Sequence, residues 1–199
     1  MLVRFSLRIA VVTGGNKGIG LEICRQLASN EVMVILTARD EKRDSASVAS
    51  LADYIKNKFG KLNMLAEMAK KVIKQTYETA EGRLRTNYYR PKQLSQALIP
   101  LLRLSSSARI VNVLSSLGQL KNVTNEWARE DAKGDLLKAG LFSLLMLSPK
   151  QLLMATRDMS FNNGHYTDEQ GAKGPVKLAL TVGDGPSSLF FFQREETTF

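Results

Sequence analysis

The sequence predicts a doubly wound α/β fold, a parallel sheet with helices on both faces. In the N-terminal third, short apolar runs alternate with segments of helical spacing. A glycine-rich turn separates the first apolar run from the first helical segment. The 199 residues, 44% of them hydrophobic, suffice for one domain with a core, so we expect a single domain over residues 1–199.

The first β-turn-α-β unit carries the clearest pattern. Leu7 to Thr13 is β-branched and apolar on both faces, as a strand buried between helix layers must be. Apolar residues then recur at helical spacing from Lys17 to Ser29, and Val32 to Ala38 is a second apolar run of strand length. The whole unit has the usual size of such a motif.

The middle of the chain is predicted to be mostly helical. Ser47 to Phe59 carries apolar residues at helical spacing, and Gly60 is positioned to end that helix. Leu62 to Val72 and Tyr77 to Tyr89 also have helical patterns. We expect a kink or break at Pro91, because proline supplies no backbone donor to a continuing helix.

The C-terminal half gives a more uneven signal. Arg109 to Leu114 is a third strand-like run, whereas Leu136 to Met159 is rich in Leu and Met and matches no motif. Thr167 is predicted to cap a helix that ends at Leu180. Ser188 to Phe192 is the last strand candidate.

Composition limits the classes of partner. The chain has 28 Lys and Arg against 19 Asp and Glu, a net charge of +9, which favours an anionic partner. The cations are scattered and show no nucleic-acid-binding module. A single Cys24 and a single His165 exclude an intramolecular disulfide and a Cys/His zinc site, and we expect no metal.

Location and assembly follow from similarly simple observations. The longest apolar stretch, Ala139 to Leu147, is too short for a membrane span, which needs about 20 residues. We therefore expect a cytoplasmic protein that acts on a small molecule and binds neither nucleic acid nor membrane. The oligomeric state is left open, a monomer included.

The most informative stretch runs from Thr13 to Gly20 and reads TGGNKGIG. A pyrophosphate binds well at a helix N-terminus, where backbone N–H groups are unpaired and the helix dipole is positive. Such close approach requires a turn without side chains, which Gly14, Gly18 and Gly20 provide. The alternative is an ordinary strand-to-helix turn, but the buried strand before it and the amphipathic helix after it favour nucleotide binding.

The residue after the second strand bears on which dinucleotide is bound. An acidic residue there would hold the 2′-hydroxyl group of NAD, whereas an Arg accommodates the 2′-phosphate of NADP. This chain has Arg39 followed by Asp40, and Lys17 in the turn adds a second cation. We therefore expect NADPH/NADP as the cofactor. The alternative is that both cations are ordinary solvated surface groups.

Three segments carry a resemblance to a known family. Thr13 to Gly20 (TGGNKGIG), Thr37 to Arg43 (TARDEKR) and Arg109 to Gly118 (RIVNVLSSLG) resemble the short-chain dehydrogenase/reductase family, in particular its carbonyl-reductase-like branch. The resemblance implies a Rossmann-like fold. It also implies an NADPH-dependent oxidoreductase that interconverts a ketone or aldehyde and an alcohol.

The same resemblance implies roles for individual residues. The residues that match the family's cofactor site are Gly14, Asn16, Lys17, Gly18, Ile19, Gly20 and Arg39. Asn87 matches the family's active-site Asn, which supports a water in a proton relay. Ser115 matches the catalytic Ser that hydrogen-bonds the substrate carbonyl oxygen, and its alternative role is that of a strand-end serine capping a turn.

The family's general acid has no evident counterpart. It is a Tyr followed four residues later by a Lys, whose charge lowers the Tyr pKa. The only Tyr after Ser115 is Tyr166, and Gln170 stands where the Lys would be. A catalytically impaired or inactive nucleotide-binding family member is therefore the alternative function.

Two earlier matches to the spacing are interpreted as chance. Tyr54 and Lys58 lie on the helix before Gly60, and Tyr88 and Lys92 are interrupted by Pro91.

Some structural segments of the family are also missing. A helix and a strand are skipped between Arg43 and Asp44, and no Asn-Asn-Ala-Gly turn follows Leu62 to Leu65. We therefore expect internal deletions and a sheet with strands missing.

Overall fold

The computed structural model describes residues 7–37, 45–68, 85–113, 167–181, 190–192 and 195–197. The chain divides into two compact units, of which the first comprises Met1–Met68, Gln93–Val111 and Asp168–Gly185. The second comprises Ala69–Lys92, Asn112–Thr167 and Pro186–Phe199. A single domain over residues 1–199 stays a prediction.

The helices and strands follow one another in the α/β order that the sequence predicts. In chain order they are β1 (Arg8–Thr13), α1 (Gly18–Ser29), β2 (Val32–Thr37), α2 (Ser45–Phe59), β3 (Met64–Met68), a π-helical turn (Arg85–Tyr89), α3 (Arg90–Leu102), β4 (Arg109–Val113), α4 (Asp168–Leu180), β5 (Phe190–Phe192) and β6 (Glu195–Thr197). Strands β5 and β6 pair with each other in antiparallel orientation. The predictions for Leu136 to Met159 and for most of Tyr77 to Tyr89 lie outside the described residues.

The first four strands form one sheet in the order β2-β1-β3-β4. Strand β1 pairs in parallel with both β2 and β3, and Val12 stands opposite Leu36 on one side and Ala66 on the other. The chain passes from β1 to β2 on one side and then to β3 on the other, so the strand order reverses between β1 and β3. In open α/β sheets, ligands bind outside the carboxyl ends of the strands at such a switch point.

Helices cover both faces of this sheet, which confirms the predicted fold class. On one face a buried cluster joins the sheet to α2 and α3; its members are Ile9, Val11, Ile55, Leu62, Leu65, Leu94, Leu98, Leu101 and Leu102. On the other face α1 packs against α4, and both helices bury their apolar stripes. Among the described residues β2 forms an edge of the sheet, where Met33 and Leu36 are exposed.

The predicted helix from Leu62 to Val72 is wrong at its start. Residues Met64–Met68 form strand β3, paired in parallel with β1. Met, Leu, Ala and Glu all favour helices, so local propensity indicates a helix. Pairing with β1 and burial of Leu65 in the core override that weak preference.

The helix that ends at Leu102 changes type just before Pro91, and the expected kink or break at this proline stays a prediction. Residues Arg85–Tyr89 form a π-helical turn, and a regular α-helix begins at Arg90. Pro91 is the second residue of α3.

Candidate dinucleotide site

The glycine-rich turn joins the carboxyl end of β1 to the beginning of α1, inside the first compact unit. Gly14 has a φ of 66°, in the left-handed region that favours glycine. A Cβ atom on Gly20 would collide with the carbonyl oxygen of Gly14 and lie 2.9 Å from its carbonyl carbon. The backbone thus folds onto itself with no room for a side chain, which is the cradle that a pyrophosphate requires.

The beginning of α1 presents positive potential to this cradle. Its N-cap residue is Lys17, whose side chain makes no capping hydrogen bond, and the first turn of the helix contains no acidic residue. Asn16 and Lys17 are exposed. Uncapped amides, the positive end of the helix dipole and a lysine together favour an anion, so these residues fit the phosphates of a dinucleotide.

Six of the seven predicted cofactor residues are brought together in this turn. They are Gly14, Asn16, Lys17, Gly18, Ile19 and Gly20, whereas Arg39 lies outside the described residues. Ile19 also packs against α4, since a Cβ atom on Gly171 would lie 2.6 Å from its Cδ1 atom. Its side chain fixes the beginning of α1, and the roles of all seven in cofactor binding stay predictions.

The predicted catalytic residue Asn87 belongs to the second compact unit. Asn87 is buried in the π-helical turn, and Ser115 lies outside the described residues. Their catalytic roles stay predictions.

Both Tyr–Lys pairs that match the family spacing form hydrogen bonds. The Lys92 ammonium donates to the Tyr88 hydroxyl at 3.1 Å, although Pro91 lies between them, and Tyr88 is buried. The Lys58 ammonium donates to the exposed Tyr54 hydroxyl at 2.9 Å. The exposed pair on α2 makes the shorter contact, so a Lys–Tyr hydrogen bond does not by itself identify a catalytic pair. The interpretation of both pairs as chance matches stays a prediction.

Glu67 is a polar residue at this end of the sheet that the sequence does not indicate. Its side chain is 4% exposed, and the Ser95 hydroxyl donates to its Oε2 atom at 3.1 Å. Burial raises the pKa of Glu67 to about 8, and the hydrogen bond from Ser95 opposes that rise in part. Sequence reasoning misses Glu67 because the residues around it favour a helix, whereas the observed strand β3 brings Glu67 to the switch point.

Two classes of feature are absent from the described part of the chain. No cluster of three or more His, Cys, Asp or Glu side chains could hold a metal ion there. No helix in that part is both long and apolar enough to cross a membrane.

Comparison with known proteins identifies the family. Residues 8–86 match the family model for short chain dehydrogenases. The (+)-neomenthol dehydrogenase of Arabidopsis thaliana is 34% identical over 290 aligned residues, which cover 96% of this chain and 98% of the relative. The chain belongs to the short-chain dehydrogenase/reductase family. The 290 aligned positions exceed the 199 residues of this chain, so this relative has segments with no counterpart here, which confirms the predicted deletions.

Two further members of the short-chain dehydrogenase/reductase family agree with this assignment. The solved structure of salutaridine reductase from Papaver somniferum superposes with a TM-score of 0.70 at 32% identity, covering 90% of this chain and 98% of that chain. Carbonyl reductase (NADPH) 3 of Rattus norvegicus is 30% identical, covering 88% of this chain and 72% of the relative. Members of the family are oxidoreductases, and the named relatives act on ketones and alcohols.

Proposed function

We propose that this short-chain dehydrogenase/reductase uses NADPH to interconvert a ketone or aldehyde and an alcohol. The observation that carries the proposal is the turn from Gly14 to Gly20, where an uncapped helix N-terminus and Lys17 meet a backbone that admits no side chain at Gly20. The relative whose name specifies NADPH supports the choice of cofactor.

Each predicted residue has a task in this proposal. Backbone N–H groups of the turn bind the pyrophosphate, and Lys17 and Arg39 bind the 2′-phosphate. Ser115 donates a hydrogen bond to the substrate carbonyl oxygen, and Asn87 supports the water of a proton relay. The cofactor, when bound, supplies the hydride.

A cytoplasmic location belongs to the same proposal. The one cysteine of the chain, Cys24, is free and buried. A chain without a disulfide suits a reducing compartment.

Replacing Arg39 by alanine is expected to remove the preference for NADPH over NADH. A hydrogen bond to a charged group contributes about 1.5–3 kcal/mol, so NADPH should bind about 10- to 150-fold more weakly while NADH binding stays unchanged. Titration of cofactor fluorescence measures both. Replacing the exposed Arg103 by alanine removes the same charge elsewhere and should change neither affinity. An unchanged NADPH/NADH ratio in R39A would contradict the assignment.

Turnover separates catalysis from binding alone. Oxidation of NADPH with small ketones, and reduction of NADP with alcohols that include neomenthol, should rise above the background rate. Tight NADPH binding without turnover on any of these substrates would favour the alternative of an impaired member, which the sequence suggests through Gln170 standing four residues after Tyr166.

A further inference from the structure

Glu67 lies where the sheet topology puts a ligand site. It follows Ala66, the residue opposite Val12, so it lies toward the carboxyl ends of β3 and β1. Thr13 leads directly into the glycine-rich turn. The strand order reverses between these two strands, and ligands of open α/β sheets bind at that point.

The carboxyl group of Glu67 is incompletely bonded. Its Oε2 atom accepts from Ser95, whereas its Oε1 atom is buried and has no hydrogen-bond partner among the described residues. Leaving a buried polar oxygen without a partner is costly, and such groups in native proteins call for an explanation. A ligand that supplies the missing hydrogen bond is the explanation that fits this location.

We propose that Glu67 belongs to the dinucleotide site, where its uncharged carboxyl group hydrogen-bonds a hydroxyl group of the nucleotide, and that loss of its proton weakens dinucleotide binding. The inference rests on the proposed function and adds a residue and a pH dependence to it. A hydroxyl group suits the site because it can both donate to and accept from a neutral carboxyl group. A carboxylate at the same point would repel the phosphates held by the turn.

The surroundings of Glu67 keep it uncharged at neutral pH. Burial raises its pKa to about 8, and it forms no ion pair with any described residue. Arg8 and Arg109 are the first residues of β1 and β4, so they lie at the amino-terminal ends of the strands, opposite Glu67. On α3, Arg90 and Lys92 precede Ser95, and Lys92 contacts Tyr88.

Other titratable and charged groups lie on the turn and the remaining helices. On α1, Glu22 pairs with Arg25, and burial raises the pKa of Cys24 above its ordinary 9.0. Lys17 in the turn is exposed, as are the charged residues of α2, namely Asp53, Lys56 and Lys58. The charged residues of α4, which contacts β3, are Asp168, Glu169, Lys173 and Lys177. Among the described residues, Glu67 is the group whose pKa is raised to about 8.

Binding of NADPH between pH 6.5 and 9.5, at constant ionic strength, tests the proposal. Below about pH 8 affinity should be constant, and above it the Kd should rise about tenfold per pH unit, because one proton is lost. Glu67→Gln keeps the shape of the side chain but cannot ionise, so its Kd should not rise with pH. Glu67→Met serves as a second uncharged variant if the glutamine variant folds poorly. Glu22→Gln, a matched loss of an acid on α1, should retain the wild-type pH dependence.

Thermal unfolding without cofactor provides an independent readout. The raised pKa means that the folded state holds its proton more tightly than the unfolded state, whose carboxyl titrates near 4.5. The contribution of Glu67 to the free energy of unfolding is therefore fully present below about pH 4.5 and is lost as the pH rises to about 8. The Tm of the wild type should fall across that window, and that of E67Q should fall less.

The possible results separate the two proposals. A wild-type Kd that is flat up to pH 9.5, or a fall in affinity that persists in both E67Q and E67M, would overturn the role of Glu67 and leave NADPH binding intact. Absence of NADPH binding at pH 7 in every variant would overturn the proposed function and this inference with it.

Discussion

A single methyl group on Gly20 is expected to abolish dinucleotide binding and to lower the free energy of unfolding by about 2–3 kcal/mol. The Cβ atom of Gly20→Ala would meet the carbonyl group of Gly14, which is backbone and cannot move aside like a flexible side chain. The turn must open, and the amides at the beginning of α1 then lose the arrangement that binds a pyrophosphate. NADPH affinity should fall at least about 100-fold, as expected when several charge-assisted hydrogen bonds are lost together.

The control for this variant is another helical glycine. Nothing lies within 4 Å of a Cβ atom built on Gly174 of α4, so Gly174→Ala should be neutral or stabilise by up to about 1 kcal/mol through helix propensity. Both substitutions improve propensity, so opposite signs in urea unfolding would isolate the collision at Gly20. If G20A were as stable as the wild type and bound NADPH normally, the turn could not be the phosphate cradle.

The first βαβ unit could be predicted because its local signals agree with its tertiary role. Strand β1 is apolar on both faces and is buried on both, and α1 buries Ile23 and Leu27, two residues of the predicted stripe. The turn between them needs glycine for the positive φ at Gly14 and for the lack of space at Gly20, and the sequence displays those glycines directly. The conformation of the glycine-rich turn is therefore predictable from local sequence.

Strand β3 and Glu67 could not be predicted, because their signals arise only after pairing. The helix-favouring run Met64–Met68 becomes a strand through contact with β1, far away in sequence. Burial in the folded chain raises the pKa of Glu67, and its hydrogen-bond partner Ser95 comes from α3, which follows later in the chain. A residue whose chemistry comes from distant neighbours leaves no local pattern to recognise.

Asn63 is another residue of this kind, and its replacement has the second large expected effect. Its backbone and side chain form hydrogen bonds that connect β1, β3 and β4 at the amino-terminal ends of these strands. Its Oδ1 atom accepts from the Ile9 backbone N–H at 2.9 Å, and its Nδ2 group donates to the Ser105 hydroxyl at 2.7 Å. Its carbonyl oxygen accepts from the Arg109 N–H at 2.8 Å, all while the residue is 4% exposed.

Asn63→Leu is expected to lower the free energy of unfolding by about 2–3 kcal/mol. Leucine has a similar size but leaves the buried N–H of Ile9 without an acceptor, and an unsatisfied buried donor costs about 1–3 kcal/mol in addition to the lost bond to Ser105. The matched control is Asn30→Leu, since Asn30 is exposed and its side chain bonds only the Gln26 carbonyl oxygen of its own helix end; it should cost less than about 1 kcal/mol. Urea unfolding compares the two, and equal losses would contradict the role of Asn63.

The position of Asn63 also separates stability from binding. It lies at the amino-terminal ends of the strands, whereas the glycine-rich turn and Glu67 lie at the carboxyl ends. Folded N63L should therefore bind NADPH with the wild-type Kd and the wild-type pH dependence, although less of it is folded. We expect G20A and N63L to destabilise the protein by comparable amounts, and we expect only G20A to lose NADPH binding. That result would assign dinucleotide binding to the carboxyl ends of the strands and structural support to their amino-terminal ends.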